Sequence, residues 1–445
     1  MENLFDNAEW VGEFFLPNKY KQRFSGKIVY SPEKGVIFDY TIIGLEVPNE
    51  ASVLHGVLNT GEKCSLIGRF IPADSGISLK QEISTRHGKC RFQYLIIGDL
   101  ITHKDLFSSC NFTLTNMQDF FFPKGFKDLV KYSDKPLVNL ITSNGELSVG
   151  NNATFGFLGK DITTQIFSKN TVALDELQKT FIAIQDKHPD AFFMLKKDIT
   201  YRIKEKTKEG SDINDILTSI LNISNLFAIL TFNPVYPEQI QIMKREKDTA
   251  LTLSVYPSIR LEHRTLELCR HSVSHFRLPI KNTNINLAEV LDVWIKRNKE
   301  FSTIVSRIQT ETGFRDEHSL YGEIVLYATQ FESISYYNGV KDKKYQYPID
   351  TYGIPKISSG ILKIFSSVGI TDIGVGISDL RNEIAHVGRP KTMLKKMSII
   401  DLIYISMYMH LVIVGYVLSE LKIPIDVIKS YIDTFAPEIP NSSSV

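Results

Sequence analysis

The chain has 445 residues, 43% hydrophobic and 23% charged, a composition that excludes a disordered or fibrous protein and implies two or three globular domains. Lysine plus arginine (51) against aspartate plus glutamate (50) leaves a net charge of +1. A uniformly basic nucleic-acid binder is thereby excluded, and any RNA contact has to come from a local patch.

The first 280 residues read as short strands. Gly26–Tyr30 and Val36–Ile43 flank the turn Ser-Pro-Glu-Lys-Gly, a hairpin signal. The stretches Ala51–Val57, Cys64–Ile71, Arg91–Ile97, Cys110–Leu114, Leu147–Phe157 and Asp198–Lys206 continue it with β-branched and aromatic residues. An antiparallel sandwich or half-barrel is expected, with a possible subdomain break near 125–145. Cys64, Cys90, Cys110 and Cys269 lie far apart, without the spacing of a zinc or redox motif, so neither metal nor cofactor is expected. Free thiols and the lack of a basic-then-apolar N-terminal run suggest a cytoplasmic setting. One helix interrupts the strands: Ser211 or Asp212 can cap it, and Ile213, Ile216, Leu217, Ile220, Leu221 and Ile223 follow at helical spacing. It is expected to pack on one face of the sheet. Nothing in this region has a phosphate loop or a nucleophile–base pattern, so a recognition or regulatory role is expected for it.

After Pro279 the pattern turns helical, giving an α+β multidomain chain. A bundle is expected over 286–436, and the tail 437–445 is expected to be disordered. Asn286 can cap a helix carrying Leu287, Val290, Leu291 and Trp294; a second runs from about Ser319 to Tyr337; Pro355 opens a third. A fourth is expected from Ile373 to Val387, and a fifth from Ile399 to Leu421, ended by Pro424. The fifth holds 18 residues without formal charge, Leu402 to Ser419, close to a membrane span in length. Its tyrosines, Ser406 and His410 need polar partners, so a buried core or interface helix is expected instead of a membrane contact.

The fourth helix carries the candidate chemistry. Ile373, Ile377, Leu380, Ile384 and Val387 draw one apolar stripe, which leaves Asn382 and His386 on the opposite side and Arg381 on the flank. Gly388 and Pro390 follow as stop signals. Cleaving RNA without a metal takes a base for the ribose 2′-hydroxyl, an acid for the leaving 5′-oxygen, and positive charge for the phosphorane. A histidine and an arginine are the side chains suited to that work, and Asn382 can orient the imidazole. Arg389, Lys391, Lys395 and Lys396 form a local basic cluster for RNA. Arg381 and His386, about 140° apart on a helix, do not converge alone, and a second copy of the helix would close the gap. The same spacing recurs at Arg270–His275 and, more loosely, from Arg264 to His271. The 270–275 stretch reads as strand and turn, so that match is taken as chance.

The run Leu380-Arg-Asn-Glu-Ile-Ala-His386-Val-Gly388 resembles the Arg-x(4–6)-His signature of HEPN domains. The helix with Gln330-Phe331-Glu332 resembles the HEPN helix bearing a Gln-Ala-Leu-Glu run, though one residue shorter. A β-rich half leading into such a bundle is similar to the ApeA-like group of bacterial anti-phage proteins. The resemblance implies a metal-independent endoribonuclease, acting as a homodimer in abortive infection, with tRNA as the expected target. Its products would carry a 2′,3′-cyclic phosphate and a 5′-hydroxyl. Arg381 and His386 would be the catalytic pair and Asn382 their accessory, with a phage-derived trigger or inhibitor acting on the N-terminal region. The alternatives are a non-catalytic module that binds RNA or a protein and, more remotely, a peripheral membrane protein using the fifth helix.

Overall fold

The computed structural model describes residues 3–44, 50–72, 78–80, 83–143, 145–246, 249–271, 273–309, 317–386 and 388–439. Among them, strands β1 (Ala8–Phe15), β2 (Phe24–Ser31), β3 (Gly35–Ile43), β4 (Ala51–Leu58), β5 (Lys63–Phe70), β6 (Ser78–Lys80) and β7 (Ile83–Phe92) are followed by β8 (Tyr94–Ile97), β9 (Phe107–Leu114) and β10 (Val138–Ile141). The strands β11 (Gly145–Phe157), β12 (Met194–Ser211), β13 (Pro237–Glu246) and β14 (Thr249–Pro257) complete the set. All belong to one antiparallel sheet in the order β10-β11-β12-β9-β13-β14-β8-β5-β4-β1-β2-β3-β7-β6. The antiparallel β-rich region expected from the sequence is thus one continuous sheet.

The hairpin turn at Ser31–Gly35 forms as read, with Gly35 at φ 72°, a backbone region that glycine enters without cost. Arg91–Ile97, expected as one strand, breaks at Gln93. Its N–H donates to the Ile67 carbonyl of β5 and its carbonyl accepts from Ser258, each at 2.8–2.9 Å. That junction draws the sheet around, and Phe14, Phe24, Phe38, Tyr40, Phe70 and Phe92 pack ring on ring inside the curl, with centroids 4.5 to 6.5 Å apart. Such pairs add about 0.5–1.5 kcal/mol each beyond the burial of their area.

Four helices belong to this region: α1 (Met117–Phe121), α2 (Thr171–Lys187), α3 (Ile213–Thr231) and α4 (His263–Arg270). Asp212 caps α3, accepting from the N–H groups of Asn214 and Asp215 at 2.8 and 2.9 Å. The helix packs on the sheet as expected, against β9 and β13. Helix α3 buries residues around most of its girth, because it lies against the sheet on one side and the C-terminal helices on the other.

Those helices are α5 (Leu287–Gln309), α6 (Glu317–Tyr337), α7 (Gln346–Tyr352), α8 (Pro355–Ser367), α9 (Ile373–Ala385), α10 (Ile399–Glu420) and α11 (Ile425–Phe435). Trp294 of α5, 1% exposed, donates its indole N–H to the Asn222 carbonyl at 2.8 Å. The Tyr431 hydroxyl of α11 donates to the Ile229 carbonyl at 2.7 Å. Phe232, turned by a left-handed backbone at the end of α3, meets the ring of Phe435 at 4.1 Å. Sheet and bundle share one apolar core.

Helices α3 and α10 are long and apolar enough to cross a bilayer, yet 61% and 78% of their apolar windows are buried in the molecule. Helix α10 is enclosed by α6, α7 and α11, so its apolar surface is consumed within one chain. In the expected tail, residues 437–439 are held: Pro437 and Glu438 carbonyls accept from Tyr408 and Tyr404 at 2.8 and 3.3 Å. The remainder, 440–445, lies outside the described residues.

Candidate active site

Helix α9 begins where Asp372 accepts from the Val375 N–H at 2.7 Å. Ile373, Gly376, Ile377 and Leu380 bury its inner face. Gly376 permits close approach to α8, since a β-carbon there would lie 2.5 Å from the Phe365 ring. The helix ends two residues earlier than the stop signals suggest. Ala385 is its last residue, and His386 is the cap, in extended conformation with its N–H on the Asn382 carbonyl. Val387, the last member of the expected stripe, lies outside the described residues. The chain therefore leaves the helical path after His386, whose own N–H still closes the last turn.

The imidazole of His386 is exposed, while Arg381 and Asn382 are half-buried. One guanidinium N–H of Arg381 donates to Asn382 Oδ1 at 3.1 Å. The Nε of Arg381 is buried and has no acceptor among the described residues. Behind it stands Glu332 of α6, which accepts from Lys344 Nζ at 2.7 Å and from the Tyr345 hydroxyl. Burial alone would raise the Glu332 carboxyl. Hydrogen bonds from Lys344 and Tyr345, with the charges of Lys344 and Arg381, outweigh that and hold it below its ordinary value. Lys344 and Tyr345 lie outside any motif in the sequence, and only the fold brings them to Glu332.

Glu383 escaped the sequence reading altogether. It is 7% exposed, and its carboxylate accepts from the N–H groups of Thr392, Met393 and Leu394 at 3.0 to 3.1 Å and from the Thr392 hydroxyl at 2.7 Å. Burial opposes its charge, but these donors prevail and its pKa is lowered. The acid inside the motif thus pins the loop that carries the basic cluster. One signal was present: at about 100° per residue, Glu383 sits about 60° from Leu380, on the edge of the apolar stripe.

Arg389, Lys395 and Lys396 are exposed and Lys391 is half-buried. The His386 carbonyl accepts from the Arg389 N–H at 3.2 Å and from Lys391 Nζ at 3.1 Å, so the loop folds back onto the histidine's own backbone. A cleft of about 510 Å³ opens beside the helix, lined by Asp379, Glu383, Arg389, Met393 and Lys396 rather than by Arg381 or His386. Among the described residues, no three His, Cys, Asp or Glu side chains gather as a metal site.

The second match to the spacing is helix and turn, not the strand and turn expected. Arg270 ends α4 and donates to the Phe5 carbonyl at 3.0 Å, whereas His275 bonds the Asp119 carbonyl at 2.6 Å. His271, the end of the looser match, bonds the Glu267 carbonyl of its own helix at 2.9 Å. Arg270 and the two histidines are committed to local backbone.

A family model described as ApeA N-terminal domain 1 matches residues 9–294, and one described as Apea-like HEPN matches residues 285–426. No curated protein and no solved structure matches the chain.

Proposed function

We propose, from the premise that this chain belongs to the ApeA-like HEPN family, that it is a metal-independent endoribonuclease of abortive infection, working in the cytoplasm as a homodimer with tRNA as its substrate. The HEPN fold is in general a ribonuclease fold of antiviral defence. The observation that carries the finer reading is the end of α9: an exposed imidazole, with a guanidinium and an amide bonded to each other one turn behind it.

In this reading an imidazole takes the proton of the ribose 2′-hydroxyl, and the 2′-oxygen attacks the adjacent phosphorus. The bond to the 5′-oxygen breaks, and that oxygen receives a proton. The products are a 2′,3′-cyclic phosphate and a 5′-hydroxyl. Arg381 balances the charge of the phosphorane through its permanent charge and paired donors. Asn382 holds the guanidinium in place, and Arg389, Lys391, Lys395 and Lys396 attract the RNA backbone. A second copy of α9 facing the first supplies the other half of the cleft, and a phage component acts through the sheet region.

Purified wild type, His386→Ala and Arg381→Ala, incubated with total tRNA and EDTA, test this. Loss of a general base or acid costs about 10²–10⁴ in rate, so both variants should lose cleavage, while chelation leaves wild type unaffected. Wild-type cleavage abolished by EDTA, or unchanged in His386→Ala, would sink the reading. One observation favours a second: the open cleft beside α9 excludes Arg381 and His386. A non-catalytic module would bind RNA or a protein there, and wild type would then bind tRNA without cutting it.

A further inference from the structure

The sheet carries a basic face that the nuclease reading does not use. Along β12, Tyr201 and Ile203 are buried and Glu205 accepts from Ser219 of α3 at 2.7 Å. The alternate residues Arg202, Lys204 and Lys206 therefore project from the opposite side, away from α3, and Lys208, beyond the register shift that follows Lys206, lines the same cleft. Two clefts, of about 540 and 410 Å³, lie along them and meet at Lys204 and Lys206, which line both.

The row is neutralised only in part: Glu146 lies within range of the charges of Lys204 and Lys206, Asp134 lines the second cleft, and Glu209 lines the first. Lys206 pairs with Glu146 at 2.8 Å, and Lys208 donates to the Ser143 carbonyl at 3.3 Å. Lys204 has Ser148 beside it on β11 and Asn111 on β9, neither of them acidic. Arg202 faces Gly150, and its buried Nε has no acceptor among the described residues. Burial without a counter-charge lowers its guanidinium below the ordinary value. A folded chain bears that cost where an anion is meant to arrive.

We propose that this face of β12 binds the phosphodiester backbone of a single-stranded nucleic acid, with Arg202, Lys204, Lys206 and Lys208 tracking successive phosphates. Alternate residues on a strand stand about 6.5–7 Å apart, the order of the separation between phosphates on an extended strand. Four cations in such a row span about 20 Å, too far to converge on one phosphate. Ser148 and Asn111, the strand neighbours of Lys204, add polar groups beside it that carry no charge. The inference does not rest on the nuclease reading, because it concerns the sheet and not α9.

The test is fluorescence anisotropy of the full-length protein with a labelled 12-nucleotide RNA, 2′-O-methylated so that no 2′-hydroxyl can attack, and with DNA of the same sequence. Wild type should bind both within a few-fold. The double variant Arg202→Gln/Lys204→Gln should weaken binding at least about 10-fold and flatten the log–log salt slope by about 1.4, about 0.7 per charge removed. Lys179→Gln/Lys187→Gln on α2, with the same charge change, should bind as wild type. Should the groove variant melt at a lower temperature, Lys206→Gln/Lys208→Gln repeats the test with exposed side chains. Unchanged binding in the groove variants, equal weakening in the α2 control, or displacement of the oligonucleotide by pyrophosphate or polyglutamate at equal charge concentration would each overturn the proposal. Because the probe cannot be cut, a failure here and a failure of cleavage are read separately.

Discussion

Glu383 shows how much one side chain fixes at this site. Three N–H groups and a hydroxyl converge on a carboxylate that is nearly out of solvent. Removing it strands the buried Met393 N–H and the part-buried N–H groups of Thr392 and Leu394, and unpaired donors out of solvent are costly. Glu383→Ala should cost about 3 kcal/mol in urea unfolding and should reduce tRNA cleavage although it removes no proposed catalytic group. The pH dependence has a definite sign. The folded pKa of Glu383 is depressed, so its stabilisation is complete above the unfolded value of about 4.3 and fades as pH falls through the folded value. The urea midpoint of wild type should therefore drop below that pH, and Glu383→Gln should lose part of this dependence; equal slopes would refute the assignment. At this scale the inner stripe was legible, since Ile373, Ile377 and Leu380 are buried as their spacing predicts, whereas Arg381 and Asn382 are half-buried rather than fully outward. Glu383 was not, because a charged residue next to Asn382 reads as solvent-facing until its backbone donors, nine to eleven residues on, are in place.

Among elements, the placement of α9 depends on the absence of a β-carbon at Gly376, where the Phe365 ring of α8 comes close. Gly376→Ala should lower stability by about 1–3 kcal/mol through overpacking, and the resulting shift of α9 should reduce cleavage. Val375→Ala one residue away, on a side chain 52% exposed, should change stability by less than about 0.5 kcal/mol; urea melts of the pair decide. Elements with turn chemistry or a proline at their ends were readable in advance: β2, β3, α8 and α10 form close to their expected bounds. Helix α2 was not, since none of its residues is buried and no core imposes an apolar stripe on it. Strands β13 and β14 were missed as well; their pairing on β9 and β8 joins segments more than a hundred residues apart, which no local pattern records. For α3 the period and the seat on the sheet were legible, and the bundle on its other side was not, although apolar residues all round a helix report two neighbours rather than one.

Across the whole molecule, sheet and bundle do not separate cleanly. Trp294, Phe232 and Tyr431 join them through α3. Excising residues 1–280 would strip α3 from α5 and α11 and leave Trp294 facing water, so the bundle expressed alone is expected to aggregate in size-exclusion chromatography; a monodisperse, folded fragment would refute this. Calorimetry of the intact chain should give one transition with equal calorimetric and van't Hoff enthalpies. The broad division into strands and then helices was visible from composition alone. The joint was not, because its contacts link α3 with residues about seventy to two hundred positions later.

A helix owned by one half and needed by the other also limits how such proteins can be rebuilt. Joining this bundle to an unrelated sensor would leave the seat of α3 empty, so an exchanged module would have to bring its own greasy rod or arrive with α5 and α11 re-lined. Recombination at the apparent border, near residue 285, would meet that obstacle each time.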